Sequence, residues 1–144
     1  MTLDDVSRVE RTLGVVLPRD YRDFLMRHAS LLEAAQATLS YYAVLWTLAD
    51  DIIRGNMEAR SHAAYMTICD EEENESPWPA TNLVVGTNGG GDYWFLALQE
   101  SPARLYFWQH ESHEATEYAP SLEAYVAKVR ADLQEPDVPP WQRG

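Results

Sequence analysis

The sequence predicts an α+β fold: a twisted, mostly antiparallel sheet with a central β-meander, packed with an N-terminal helix pair, a middle helix and a C-terminal helix. Three observations point there. The apolar runs Asn82 to Thr87, Tyr93 to Leu98 and Arg104 to Gln109 are separated only by NGGGD and QESPA. Separators this short and rich in turn-formers force neighbouring strands to run antiparallel. Apolar residues recur at helical spacing near both ends of the chain. The 144 residues, 46 % hydrophobic and 11 % aromatic with one cysteine, suffice for a single core that needs no disulfide or metal staple. One domain over 1–144 is expected, with its core at about 2–134 and a proline-rich tail at 135–144.

The first helix follows from Val6, Val9 and Leu13, with Thr2 and Asp5 spaced as a capping box and Gly14 suited to end it. Leu17 and Pro18 open a second helix, in which Tyr21, Phe24, Leu25 and His28 form one apolar face. A lone histidine on such a face reads as a core residue. Residues 29–39 are Ala-rich and fit either a helical extension or an irregular crossover. Tyr41 to Trp46 has the aromatic and branched composition of a strand. Thr47 then stands as N-cap of a third helix through Ile52, Ile53 and Met57, with Gly55 weakening its interior by about 1 kcal/mol. Tyr65 to Cys69 fits a strand, and DEEENESPWP after it reads as a loop. Both faces of Tyr93 to Leu98 are aromatic, as in a covered central strand. Leu122, Tyr125, Val126, Val129 and Leu133 make the clearest stripe, a helix introduced by Pro120 and Ser121. The tail PDVPPWQRG has too many prolines for a helix.

The formal charge is −12, and residues 69–118 hold ten acids against Arg104 alone. Such a surface does not bind nucleic acid or anionic lipid through basic groups, and it suits a basic protein partner. The alternative is a solvated face that keeps the chain soluble. No apolar run reaches membrane-spanning length. The N-terminal MTLDDVSRVER carries acids where a signal peptide begins with bases, so a cytoplasmic location is expected.

Catalytic, cofactor and metal sites are not expected. GTNGGGDYW lies before a strand and lacks the Lys and spacing of a phosphate loop, so it reads as a hairpin turn in which Asp92 or Asn88 bonds local backbone. HESHE offers possible ligands at His110, Glu111, His113 and Glu114, but its histidines stand at i and i+3 with no helix to aim them at one ion. Cys69 precedes five acids that disfavour a thiolate. Trp78, held between Pro77 and Pro79 beside the acidic run, fits equally an interface anchor or a lid on the core.

In this order the pieces resemble the SUKH superfamily, the Smi/Knr group of immunity and cell-wall-regulator proteins. LGVVLPRDYRDFL, Leu13 to Leu25, is similar to its helix–helix junction LG-x-x-LP-x-D-[YF]-x-x-[FL]. VVGTNGGGDYWFL, Val84 to Leu96, is similar to its strand, glycine turn, Asp and second strand. His110 and Glu111 match its "HE" after the next strand, and the helix at Ser121 and Leu122 follows. HASLLEAAQ departs from the pattern, replacing a glycine turn found in many members. The resemblance implies the α+β fold and a non-catalytic protein-binding role: an immunity protein that neutralises a polymorphic toxin domain, often a nuclease. The second implied role is a regulatory scaffold for signalling or cell-wall proteins. With an immunity role, the expected docking surface comprises Asp70, Glu71, Glu72, Glu73, Glu75, Trp78, Asp92, Tyr93, Trp94, Glu111, Glu114 and Glu117. Whether these residues share one end of the sheet is not legible in the sequence.

Overall fold

The computed structural model describes residues 1–38 and 45–134. Four helices precede the strands: α1 (Leu3–Leu13), α2 (Arg19–Arg27), α3 (Ala29–Thr38) and α4 (Ala49–Ser61). Six strands follow, β1 (Thr67–Cys69), β2 (Glu75–Pro77), β3 (Asn82–Thr87), β4 (Tyr93–Ala97), β5 (Leu105–Trp108) and β6 (Ala115–Ala119). Helix α5 (Leu122–Gln134) closes the described chain. The sheet is antiparallel in the order β3-β4-β5-β6, and β1 and β2 pair as a separate small hairpin. The α+β class and the meander are those the sequence predicts.

Local chemistry explains the helix ends. Thr2 and Asp5 form the reciprocal capping box of α1, and Gly14 ends it at φ 68°, a left-handed conformation that glycine adopts without steric cost. Ser121 Oγ accepts from Ala124 N–H at 3.0 Å and starts α5. Two expectations are corrected. Leu48, not Thr47, is the N-cap of α4, without a side-chain cap. His28 stands past the last turn of α2 as its C-cap, half-buried, with its ring 6.0 Å from that of Phe24. The Ala-rich stretch after it resolves as α3. Most of the strand expected at Tyr41 to Trp46 lies outside the described residues, as does the tail with Trp141, while Leu45 and Trp46 belong to no strand.

The sheet is covered on both faces because its strands are apolar on both. Leu83, Val85, Trp94, Leu96 and Leu105 join Val6, Val9, Tyr21, Phe24, Ile52, Tyr125 and Val129 from the helices in the main core. On the opposite face Val84, Phe95 and Trp108 pack with Ala59, Met66 and Trp78. Gly55 is required by this packing: a Cβ there would fall 2.1 Å from Cη2 of Trp46. Asn56, buried in α4, seals the outer edge of β3. Its Nδ2 donates to Val84 O at 2.7 Å and to Ile52 O at 2.8 Å, and its Oδ1 accepts from Val84 N–H at 2.8 Å. With Trp46 N–H donating to Val85 O at 3.0 Å, that edge offers little to a further strand.

Candidate functional site

Two further corrections concern the acidic segments. DEEENESPWP is not wholly a loop, because Glu75–Pro77 pairs with Thr67–Cys69 and leaves Asp70–Asn74 as a hairpin tip. The stretch after HESHE, to which the sequence assigns no strand, also holds one: Ala115–Ala119 is β6, paired with β5. Both segments lack an apolar period, and each is a strand because of the neighbour it meets across a turn.

These pairings gather three turns at one end of the sheet. The β3–β4 turn is built on Asp92. Its Oδ1 accepts from the backbone N–H of His110 at 2.9 Å and lies 2.6 Å from Nδ1 of the same residue. Its Oδ2 accepts from Asn88 Nδ2 at 2.8 Å. The β5–β6 turn is thereby tied to the glycine turn. Gly91, at φ 100° with a would-be Cβ only 3.2 Å from His110 Nδ1, leaves room for that ring. The β1–β2 hairpin meets the same β5–β6 turn from the other side. Cys69 N–H donates to His113 O at 2.8 Å, Trp108 Nε1 donates to Thr67 O at 2.9 Å, and Thr67 Oγ1 lies 2.7 Å from His113 Nδ1. Glu75 Oε1 stands 3.8 Å from that nitrogen.

Asp70, Glu71, Glu72, Glu73, Glu75, Asp92, Glu111 and Glu114 therefore share one end of the molecule, and all but the half-buried Asp92 are exposed. They divide by what they bond. The Asp70 carboxylate accepts from Glu72 and Asn74 N–H, both at 2.9 Å, and shapes the hairpin tip. Burial raises the pKa of Asp92, but the hydrogen bonds from the His110 N–H and ring and from Asn88 outweigh it and hold the carboxyl below its ordinary value. The carboxylates of Glu71, Glu72, Glu73, Glu111 and Glu114 have no internal partner among the described residues. The Cys69 thiol reports the shared field: burial raises its pKa first, then Glu75, Asp70, Glu114 and Glu73.

The other expected residues fall elsewhere. Trp94 is buried and belongs to the core, its ring 4.8 Å from Phe107 and 5.7 Å from Tyr118, so it has no face for a partner. Trp78 is half-buried as a lid over Phe95 at 4.9 Å and Trp108 at 5.7 Å. Tyr93 stacks on Trp108 and is half-buried. Burial and then Glu58 raise its pKa, which adds a carboxylate from α4 that the sequence does not flag. Glu117 points toward the opposite end, 3.7 Å from Arg104, which also stands 3.8 Å from Glu100. There Tyr106 Oη donates to Glu100, and burial followed by that bond pushes the phenol up to about 12.

HESHE does not converge on an ion. Its histidines reach in different directions, and among the described residues no three His, Cys, Asp or Glu side chains are grouped to hold a metal. No described helix is long and apolar enough to cross a membrane.

No curated protein and no solved structure matches the chain. A family model does, over residues 1–128, a span that includes the helix junction, the meander and all three acidic turns. On that match, the chain belongs to the SMI1 / KNR4 family (SUKH-1).

Proposed function

We propose that this chain is a non-catalytic protein-binding domain that acts as an immunity protein, receiving a basic toxin domain on the end of the sheet where the three acidic turns meet. The observation that supports this is the set of exposed carboxylates at Glu71, Glu72, Glu73, Glu111 and Glu114, none of them neutralised internally among the described residues. Like charges held together repel one another, and a cationic partner relieves that repulsion. A nuclease groove built to take phosphates is such a partner, and complementary charge also speeds encounter. Trp78 and Tyr93 keep part of their rings open beside these acids and supply apolar contact.

Affinity capture from the cells of origin tests the reading, with the wild-type chain and a variant carrying Gln at positions 71, 72, 73, 111 and 114 run in parallel. The expected result is a basic toxin domain retained by the wild type at low salt, released as salt rises and absent from the variant. Retention of the same signalling or cell-wall proteins by both forms would favour the regulatory-scaffold role instead.

A further inference from the structure

HESHE, whose side chains are not grouped as a metal site among the described residues, has another use. We infer that His110 and His113 are two independent positioning latches, each fastening one neighbouring turn to the β5–β6 turn and so setting the spacing of the three acidic segments. His110 holds the β3–β4 turn through Asp92, by its backbone N–H at 2.9 Å and its Nδ1 at 2.6 Å. A carboxylate only accepts, so Nδ1 of His110 carries the proton. His113 holds the β1–β2 hairpin: its Nδ1 bonds Thr67 Oγ1, its carbonyl accepts from Cys69 N–H, and its ring stacks at 5.6 Å on Trp108, whose Nε1 donates to Thr67 O. His113 adopts φ 62°, a conformation uncommon outside glycine, and this turns its carbonyl and ring toward the same strand. The i, i+3 spacing that fails as a metal motif serves here because the two rings face different neighbours. The functional importance of the spacing rests on the docking proposal, but the latches are properties of the free chain.

Amide hydrogen exchange on the free protein is the test, comparing wild type with His110→Gln, His110→Asn and His113→Gly. Gln carries its amide nitrogen too far out to replace Nδ1, whereas Asn places one near it. Gly removes the ring at a backbone angle it adopts freely, so any loosening does not come from strain. His113→Gly is expected to speed exchange at Cys69 and Trp78 by about tenfold and to leave Asp92 and Gly90 unchanged. His110→Gln is expected to do the reverse, and His110→Asn to restore protection. Loosening of both turns together in either variant, or of neither, overturns the proposal. A ¹⁵N spectrum of the wild-type histidines needs no variant: a proton on Nδ1 of His110 is expected, and a neutral ring protonated only at Nε2 contradicts the latch. Failure of the docking reading would appear only as unchanged partner binding, with this exchange pattern intact.

Discussion

Asp92 carries the most local consequences, since one carboxylate organises the glycine turn and ties it to the next. Asp92→Ala leaves the His110 and Asn88 donors without their acceptor and is expected to cost about 1–3 kcal/mol, read as a lowered midpoint in urea. Its pH dependence has a definite sign. A carboxyl whose folded pKa lies below its unfolded one adds stability that is complete above the unfolded value, about 4, and is lost as pH falls through the folded value. Asp92→Asn never ionises, so its acid limb should be flatter than that of the wild type; equal slopes would contradict the assignment. Gly55 makes a second prediction. On helix propensity alone Gly55→Ala gains about 1 kcal/mol, but the new methyl meets the Trp46 ring, so the variant is expected to lose about 1–3 kcal/mol in thermal or urea unfolding. From the sequence that glycine shows only as a weak point in a helix, because Trp46 reaches it through packing that no local pattern encodes.

Among the elements, those with their own periodicity were legible and those defined by a partner were not. Helices α1 and α5 carry their stripes and caps within about a dozen residues, and β3, β4 and β5 are apolar runs bounded by turns. Strand β6 reads Ala-Thr-Glu-Tyr-Ala, which has little apolar signal, and it exists because β5 offers a ladder to it. Strand β2 is exposed at every residue and depends likewise on β1. The hairpin they form is held down by Trp78 and the contacts around His113. Trp78→Ala should therefore cost about 2–4 kcal/mol, since the ring is half-buried over Phe95 and Trp108. It should also raise proteolytic cleavage at the hairpin tip while the four-stranded sheet keeps its exchange protection. Equal loosening of hairpin and sheet would mean that the two fold as one unit.

On the scale of the whole molecule, the sequence revealed an excess of acids in one third of the chain but not its arrangement. Asp70, Asp92 and Glu111 are separated by about twenty residues each, and only the closure of the meander and the docking of the hairpin bring them to one end. The same topology removes Glu117 to the other end and buries Trp94, although both stand beside the correct motifs in sequence. Carboxylates held together without internal partners among the described residues leave an energetic mark. Converting Glu71, Glu72, Glu73, Glu111 and Glu114 to Gln is expected to leave the thermal midpoint unchanged or raise it, because mutual repulsion is relieved and no described bond is lost. A lowered midpoint would mean that these groups serve the fold.

The proposal that they serve a partner is tested most directly by the association rate of the captured basic toxin domain, measured by stopped flow from low to high salt with both the wild type and the five-Gln variant. For the wild type, the rate is expected to fall steeply as salt screens the charges. The variant should associate at least about tenfold more slowly at low salt and show little dependence on it. Equal rates and equal salt slopes in the two proteins would contradict docking through this end of the sheet.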